Sequence, residues 1–417
     1  MVCVLFIANY PRSAERHTMG SQHPIRILTI NGGSSSIKFA LFEAEESLQR
    51  ILEGKIERIG LPEAPFVVKG LRQADNFSRQ VNAPGHAAAV ERLMDWIEER
   101  FEQGELSAVG HRVVHGGPNY SEPQRITKEL IEELHKMELF DPEHLPEEIL
   151  LTEAFHRRFP HLLQIACFDT AFHRGMPRVA RLLPIPRRYD AKGIQRYGFH
   201  GLSYSFLMEE LERMAGTEAA QGRIILAHLG NGASLAAVHG SKPIDTSMAL
   251  TPTAGIPMST RSGDLDPGIV WCLARTERIG AKQFNQMVNF ESGLLGVSET
   301  SSDMRDLLSR EKEDPRAAEA VAMFCYQVKK WIGAFAAALG GLDTLVFSGG
   351  IGENAPAVRA RICDGLEFLG IELEEKQNAA NAGVISARTG RVSVRVIRTD
   401  EERMIAKMVC RLLGHKV

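Results

Sequence analysis

Short apolar runs separated by polar turns predict two β-hairpins of similar design. Residues 25–30 and 37–42 are apolar runs joined by the polar segment 31–36, which contains two glycines and three serines, a pattern typical of a β-hairpin. Residues 224–238 repeat this plan with a turn of Gly, Asn and Ser. The second hairpin follows about half a chain later, so the pattern indicates two similarly built halves.

Apolar positions with a helical period predict two long helices. Val90, Leu93, Met94, Ile97 and Phe101 share one face of an amphipathic helix. A second helix is expected over residues 315–339, which carry a longer apolar stripe with the same period.

The second helix also has signals at both of its ends. Asp314 can cap its start, Pro315 fits the first turn, and Gly340 suits the residue after its end. The apolar residues 344–347 then predict a buried strand, followed by a Gly-rich turn over residues 348–354.

The composition narrows the class of protein. Of 417 residues, 44% are hydrophobic and 24% are charged, with a formal net charge of −3, so we expect a folded protein. Positive charge is not in excess, which argues against nucleic acid as a partner. No apolar stretch reaches the ~20 residues of a membrane-spanning helix. We therefore expect a cytoplasmic α/β enzyme of two or three domains.

The cysteines and the N-terminal segment change this interpretation little. The six cysteines are scattered without a C-x-x-C pair, so we expect reduced thiols rather than a disulfide framework or a zinc site. Residues 2–8 are apolar, but no basic residue precedes them as in a secretory signal. We interpret residues 1–24 as an N-terminal extension that need not be ordered, with Met19 as a second candidate start.

The glycine-containing turns point to phosphate binding. Backbone N–H groups in such turns can approach phosphate oxygens closely. A P-loop is excluded in its usual form, since no G-x-x-x-x-G-K-[ST] occurs. Residues 349–354 follow a predicted strand without G-x-G-x-x-G spacing, which leaves a dinucleotide-binding fold as a weaker alternative. Two ordinary hairpins without a ligand remain the simplest alternative.

Six further segments combine basic and polar residues without the periodicity of a core. They are residues 110–117, 167–173, 196–203, 259–267, 301–306 and 399–402. In their order and spacing, these segments and the hairpins resemble the acetate kinase family, within the actin-like superfamily of ATPases and sugar kinases. The resemblance runs from about residue 25 to the C-terminus.

The resemblance implies an α/β, two-domain actin-like ATPase fold with duplicated βββαβαβα cores and an active-site cleft between them. Residues 25–173 with 403–417 would form the N-terminal substrate and phosphate domain, and residues 174–402 the C-terminal nucleotide-binding domain. A homodimer is also implied.

The implied reaction is the reversible transfer of the ATP γ-phosphoryl group to acetate, giving acetyl phosphate and ADP, with Mg²⁺ or alternatively Mn²⁺. Propionate or another short-chain carboxylate is an alternative acceptor. An actin-like nucleotide-binding regulator without transfer activity is the alternative from another class.

The resemblance also implies the residues of the site, position by position. The implied catalytic residues are Asp169, His200 and Arg261, and the implied metal-site residues are Asn31 and Glu401. The implied substrate-binding residues are Arg112, Val114, His144, Phe199 and Pro252. The residues implied around ATP and its phosphates are Ser34, Ser36, Lys38, His228, Leu229, Gly230, Asn231, Gly232, Asp303, Met304, Arg305, Gly349, Gly350, Ile351, Gly352 and Glu353.

The chemistry of this reaction explains why such residues are needed. A carboxylic acid with a pKa near ~4 is ionised at neutral pH, so the nucleophile needs no general base. The obstacle is repulsion between two anions, which positioned positive charge relieves. We assign Arg112 to the substrate carboxylate, because a buried arginine needs an anionic partner. Arg261 and His200 are assigned to the transferring phosphoryl group.

The remaining charged and titratable groups have simpler expected roles. Asp169 and Glu401 would hold Mg²⁺, partly through water. We expect three further histidines near the site to be structural, namely His111, His115 and His173.

The chain departs from the family pattern near the expected acyl pocket. Glu143 stands where the family pattern has a leucine of the methyl pocket, and Thr253 and Ala254 stand where Leu-Glu is common. An unpaired carboxylate there would repel an anionic substrate, so either Glu143 turns to solvent or the substrate is not simply acetate. Asp400 replaces a common asparagine beside Glu401.

Overall fold

Two hairpins of the expected kind begin the two sheets of the molecule. A computed structural model describes residues 24–33, 36–61, 63–102 and 104–415. Residues 1–23 of the predicted extension lie outside the described residues, and so does Ser34. The strands are β1 (Ile25–Gly33), β2 (Ser36–Ala44), β3 (Leu48–Glu57), β4 (Ala64–Gly70), β5 (Phe77–Val81), β6 (Ala108–Val113), β7 (Gln124–Arg125), β8 (Leu163–Phe168), β9 (Arg223–Leu229), β10 (Ala233–His239), β11 (Lys242–Thr246), β12 (Thr344–Ser348) and β13 (Ser393–Val396).

Helices cover both sheets. They are α1 (His86–Arg100), α2 (Lys128–Met137), α3 (Leu145–Arg158), α4 (Arg178–Arg181), α5 (Arg187–Asp190), α6 (Gly201–Ala215), α7 (Thr217–Gln221), α8 (Gly268–Thr276), α9 (Ala281–Phe290), α10 (Gly293–Ser298), α11 (Met304–Arg310), α12 (Pro315–Leu339), α13 (Gly349–Asn354), α14 (Pro356–Cys363), α15 (Glu375–Ala379) and α16 (Glu401–Leu412). Short 3₁₀ helices span Gln73–Asp75, Ala171–Gly175 and Glu367–Leu369.

The two sheets share one strand order, which confirms the predicted duplication. In the second sheet the order is β11-β10-β9-β12-β13, and in the first sheet β3-β2-β1-β6-β8 follow the same plan. In each sheet the first three strands pair antiparallel and the next two add in parallel. Strands β4, β5 and β7 extend the edges of the first sheet.

Most of the helix and strand predictions are confirmed, and one turn is not. Asp314 caps α12 through its side chain, and Gly340 ends the helix in the left-handed conformation with φ 70°. The apolar face of α1 is buried at Val90, Leu93, Met94 and Ile97. The predicted turn after β12 is wrong over residues 349–354, which form the one-and-a-half-turn helix α13.

The helix α16 crosses from the second sheet to the first. It follows β13 by a short connection and packs on β1 and β6. Its side chains Ile405 and Val409 lie so close to Gly110 of β6 that a Cβ there would meet them at 2.4 and 2.8 Å. The domain boundary at residue 402 or 403 stays a prediction, although α16 itself packs with the first sheet.

None of the helices in the described part of the chain combines the length and apolarity that crossing a bilayer requires. The five cysteines within the described residues are unpaired; Cys3 lies outside them.

Candidate active site

A cavity of about 260 Å³ lies where residues of the two sheets face each other. Every residue that lines it, except Gly33, belongs to the set that the sequence predicts. These residues are Asn31, Ser36, Lys38, Arg112, Val114, His144, Phe199, His200, His228, Asn231, Gly232, Pro252, Arg261 and Glu401. Side chains that are up to 370 positions apart in the chain therefore converge on one space.

The first wall of the cavity is built at the carboxyl ends of parallel strands. Arg112 lies near the end of β6, and Asp169 follows β8 directly. The two strands are neighbours in parallel register, so their ends meet at one edge of the sheet. The backbone N–H of Asp169 donates to the carbonyl of Val113 at 2.9 Å, which extends the pairing to the site itself.

Arg112 has two carboxylate partners in the protein. Its Nε and Nη2 donate to Asp169 Oδ2 at 3.1 and 2.7 Å, and its Nη1 donates to Glu148 Oε1 at 3.1 Å. Arg112 therefore already has anionic partners within the protein, and its assignment to the substrate carboxylate stays a prediction. One of these partners, Glu148, lies on the buried face of α3, outside every motif that the sequence indicates.

The charges around Arg112 are strongly interdependent. Burial alone would lower the pKa of Arg112, but the charges of Asp169, Glu148 and Glu401 raise it above its usual value. Burial raises the pKa of Glu148 against the opposing effects of Arg112 and the Val114 amide. That amide donates to Glu148 Oε2 at 2.7 Å, so both oxygens of the carboxylate have donors.

The second wall places two stacked histidines beside the glycine turn of the second hairpin. The ring centroids of His200 and His228 are 4.3 Å apart, with an interplanar angle of 24°. His200 Nδ1 lies 2.9 Å from Ser234 Oγ, which also bonds the hydroxyl of Tyr204 at 2.5 Å. His200 takes the left-handed conformation, with φ 59°, immediately before α6. This kink turns the ring toward the cavity.

Burial favours the neutral form of both stacked histidines. Burial lowers the pKa of His228 to about 4. The pKa of His200 falls well below its ordinary value, first through burial and then through the charges of His228, Arg112 and Arg261. These effects disfavour a positive charge on His200.

Arg261 reaches the same space from the loop before α8. A Cβ on Gly232 would lie 3.1 Å from His200 Nε2 and 3.6 Å from Arg261 Nη1, so both groups border one spot above the second hairpin. Arg261 Nη2 donates to His144 Nε2 at 2.9 Å, and Nη1 to the carbonyl of Pro252 at 3.3 Å. Burial lowers the pKa of Arg261.

The predicted metal residues lie together and offer oxygen atoms. Asn31 Nδ2 donates to Glu401 Oε2 at 3.2 Å. Asp169 Oδ1 is buried and has no hydrogen-bond partner in the described residues. The pKa of Glu401 is raised by burial and then by the charge of Asp169, as expected for two carboxylates that share a region.

This donor set fits a magnesium ion. Mg²⁺ binds through one or two carboxylates and otherwise through water and phosphate oxygens. No group of three or more His, Cys, Asp or Glu side chains suited to a metal exists among the residues that the structure describes. Two carboxylates and an amide fall below that number, and a nucleotide would supply the remaining ligands.

The segments that are predicted to bind the nucleotide are only partly brought together. Residues 228–232 and 349–353 are adjacent, because a Cβ on Gly349 would lie 2.7 Å from the carbonyl of Leu229. Glu353 Oε1 accepts from the N–H groups of Gly349 and Thr399 at 2.9 and 3.1 Å.

The third nucleotide segment is not joined to these by any hydrogen bond between described residues. Asp303 caps the start of α11 and pairs with Arg305, while Met304 is buried in the core. Ser36 and Lys38 line the cavity from β2, and Ser34 lies outside the described residues. The roles of all these residues in nucleotide binding stay predictions.

The departures from the family pattern are joined in one hydrogen-bonded chain. Glu143 Oε1 accepts from Asn285 Nδ2 of α9 at 2.6 Å. Asn285 accepts from Asn289 Nδ2 at 3.0 Å, and Asn289 Oδ1 accepts from Thr253 at 2.5 Å. Glu143 does not line the cavity. It is therefore partly buried and paired with Asn285 rather than unpaired in the cavity.

Asp400, the other departure, is neutralised. Its carboxylate pairs with Arg50 and caps α16 by accepting from the N–H of Arg403 at 3.0 Å.

The three remaining histidines have structural contacts. His111 Nε2 bonds Gln164 at 3.0 Å, His115 Nδ1 accepts from the N–H of Gly117 at 2.8 Å, and His173 Nε2 bonds the carbonyl of Phe199 at 2.9 Å. Burial lowers the pKa of each to about 4.

Two acids of the site were missed from the sequence. Glu148 lies on the buried face of α3 with Leu145, Ile149 and Thr152, and a charge at a core position could have revealed it. Asp141 stands three residues before His144 and accepts from it at 2.9 Å.

Comparison with known proteins places this site in a family. A sequence model described as the Acetokinase family matches residues 26–407. The acetate kinase of Rhodopseudomonas palustris strain TIE-1 is 44% identical over 393 residues, 93% of this chain and 98% of that protein. The propionate kinase of Citrobacter rodentium is 40% identical over 392 residues, covering 93% and 96%. The crystal structure of Porphyromonas gingivalis acetate kinase matches with a TM-score of 0.83 at 36% identity, covering 93% and 100%.

Proposed function

The chain belongs to the acetokinase family, and we propose that it transfers the γ-phosphoryl group of ATP reversibly to acetate, giving acetyl phosphate and ADP. The observation that carries this proposal is the convergence of Arg112, His200 and Arg261 on one cavity between the two sheets. Had these groups faced different surfaces, the charge neutralisation that the reaction needs would have no place.

The protein's contribution to catalysis is positioning and charge. Arg261 carries a positive charge whose nearest partners are uncharged, so it is free to stabilise the transferring phosphoryl group. His200 donates a hydrogen bond to the same group from its cavity-facing nitrogen. Arg112 is fixed by two carboxylates and uses its remaining N–H to orient the carboxylate of the acid.

We propose that Asn31, Asp169 and Glu401 hold Mg²⁺ or Mn²⁺ with the nucleotide phosphates. The ion would neutralise negative charge on the phosphates. Titrating the protein with Mn²⁺ in the presence of ADP, and following water proton relaxation, tests this set. Glu401→Gln should weaken the signal change, whereas Glu367→Gln on a distant surface should leave it unchanged.

The acyl end of the cavity is lined by Val114, Phe199 and Pro252, which are buried. Their size favours a short acid, and propionate or another short-chain carboxylate is the alternative substrate. This alternative is supported by the similarity to a propionate kinase. Comparing kcat/KM for acetate, propionate and butyrate decides between them, since one methylene is worth roughly 1–3 kcal/mol in an apolar pocket.

A nucleotide-binding regulator without transfer activity is the candidate from another class. Incubation with ATP, Mg²⁺, a short acid and hydroxylamine separates the two, because hydroxylamine traps an acyl phosphate as a hydroxamate. We expect hydroxamate with the wild type and none when ATP is omitted. Absence of hydroxamate with acetate, propionate and butyrate, from protein that binds ATP, would favour the regulator.

We propose a homodimer that uses the face of α8. This helix buries none of its residues and exposes Val270 and Trp271, the latter at 67%. Trp271→Glu should convert a dimer to a monomer in analytical ultracentrifugation. Phe368→Glu, at a residue elsewhere that is at least as exposed, should leave the dimer intact. A monomeric wild type would refute this proposal.

We also propose that the enzyme works in the cytoplasm. ATP is available there, and the described cysteines are unpaired, as is usual for proteins in a reducing compartment. Cell fractionation with an antibody against the chain tests this location.

A further inference from the structure

Asp141 is a buried acid beside the site that no assigned role includes. It lies between α2 and α3 and is 2% exposed. Its Oδ1 lies 2.9 Å from His144 Nδ1. Its Oδ2 is buried without a partner in the described part of the chain. Burying a carboxylate with so few hydrogen-bond donors costs free energy. The contact between Asp141 and His144 therefore calls for an explanation.

His144 is held between two groups of opposite hydrogen-bonding character. A carboxylate only accepts hydrogen bonds, and a guanidinium only donates them. His144 Nδ1 must therefore be protonated and donate a hydrogen bond to Asp141. His144 Nε2 must be unprotonated and accept a hydrogen bond from Arg261 Nη2 at 2.9 Å. The geometry is compatible with one form of the ring, the neutral tautomer with hydrogen on Nδ1.

We propose that Asp141 is a positioning residue for Arg261, which acts by fixing His144 in the Nδ1–H tautomer. The inference rests on the proposed transfer reaction, in which Arg261 contacts the phosphoryl group. Asp141 itself does not line the cavity.

The arrangement orients a cation without neutralising it. A carboxylate in direct contact with Arg261 would hold the guanidinium equally well but would compete with the incoming phosphoryl group for its N–H groups. A neutral imidazole between the two supplies the hydrogen bond and keeps the negative charge one ring away. The other contacts of Arg261, the Pro252 carbonyl and Met258 Sδ, are also uncharged.

The first test is spectroscopic and does not depend on activity. A long-range ¹H–¹⁵N spectrum of the wild type reports the tautomer of each imidazole, and the His144 signal is the one lost in His144→Ala. We expect the Nδ1–H form for His144. An Nε2–H form or a charged ring at pH 7.5 would overturn the proposal, whatever the fate of the Asp141 variants.

The second test compares two substitutions of the acid. Asp141→Ala removes the acceptor, and we expect kcat to fall about 10–100-fold, as when a partner that orients a histidine is removed. Asp141→Asn keeps an acceptor oxygen without the charge, so it should recover most of kcat. Equal losses in both variants, or no loss in Asp141→Ala, would contradict positioning through a hydrogen bond.

A double-mutant cycle then asks whether Asp141 acts through His144. In a His144→Ala background, Asp141→Ala should cause no further loss of kcat, because the intermediate ring is gone. Additive losses would overturn the proposal. The control is Glu138→Gln, since Glu138 bonds His135 at 2.7 Å with the same three-residue spacing but outside the cavity; it should leave kcat unchanged.

These measurements separate the inference from the proposed function. If the wild type formed no acyl phosphate, the transfer reaction would fail, while the Nδ1–H tautomer of His144 and its loss in Asp141→Ala would still support positioning. If acyl phosphate formed and the tautomer were wrong, positioning alone would fail.

Discussion

The two arginines of the cavity are held in opposite ways. Arg112 donates to Asp169 and Glu148, so its positive charge is compensated within the protein. Arg261 donates to an imidazole, a carbonyl and a thioether sulfur, all uncharged. Both are polar groups in largely buried surroundings, but only Arg112 has carboxylates in contact.

This difference supports the two different roles that we propose for these side chains. A compensated guanidinium is rigid and contributes little net charge, which suits orientation of the acid. A guanidinium without an anionic partner can bind an incoming anion. This suits the phosphoryl group, because that group carries the larger negative charge. The family resemblance names both as active-site arginines and does not distinguish them in this way.

The comparison predicts its largest effect for Arg261→Ala. Removing the uncompensated cation should lower kcat by about 10³–10⁵, the range for an arginine that serves a transferring phosphoryl group. ATP binding should persist, because other segments hold the nucleotide. Single-turnover kinetics and ATP titration measure the two quantities. Arg316→Ala on the surface is the control, and near-normal turnover in Arg261→Ala would refute the assignment.

The two substitutions should rank in the opposite order when the free energy of unfolding is measured instead of kcat. Arg112→Ala leaves Asp169 and Glu148 buried without their cation, so the free energy of unfolding should fall by about 3–5 kcal/mol. Arg261→Ala strands no carboxylate in direct contact and should cost less. Adding Glu148→Gln to Arg112→Ala should recover part of the loss. Urea denaturation measures all three, and equal losses for both arginines would contradict the comparison.

Low pH should lower the free energy of unfolding because the protein contains buried histidines. His173 bonds the carbonyl of Phe199, and burial lowers its pKa to about 4. The unfolded chain, with a pKa near 6.5, binds the proton first, so the free energy of unfolding falls as the pH drops from about 6.5 to 4. The loss is about 1.4 kcal/mol per pH unit for this residue.

Denaturation at pH 7.5, 6.0 and 5.0 measures this slope. His173→Gln should flatten it, and His161→Gln, at an exposed position, should not. A slope unchanged by His173→Gln would show that folding does not lower the pKa of this residue.

The smallest expected effect concerns the series of hydrogen bonds that links Glu143 to Thr253. This series supports the loop that carries Pro252. Glu143→Ala should loosen this loop and raise kcat/KM for propionate relative to acetate by a few-fold, below the roughly 10–200-fold value of a whole methylene. Glu143→Gln keeps an acceptor and should retain the wild-type ratio. A ratio unchanged in Glu143→Ala would show that this series does not set acyl selectivity.

Local signals in the sequence were sufficient for the two hairpins, for α1 and α12, and for strand β12. The hairpins over residues 25–42 and 224–238 carry alternating apolar runs and glycine turns, and α12 carries a cap, a proline and a glycine at the expected places. Residues 349–354 failed as a turn because glycine suggests irregular structure, whereas here Glu353 accepts from the Gly349 amide and closes a short helix.

The partners of charged residues were harder to predict than their presence at the site. The motifs named Arg112, His200 and Arg261 correctly as members of one cavity. They did not reveal Glu148 or Asp141, because which acid meets which arginine depends on how α3 packs beneath the ends of β6 and β8. Such packing joins positions 36 to 117 residues apart, and no local pattern records it.

Because α16 packs on the first sheet, that sheet can be fully covered only after α16 has been synthesised. Residues 404–410 cover β1 and β6, yet the ribosome makes them more than 290 residues after β6. Until then, one face of the early strands is bare and exposed to chaperones or to mispairing with neighbours. The same late helix begins with Glu401, so a nascent chain that has not reached this point has neither a covered first sheet nor the Glu401 carboxylate that lines the cavity.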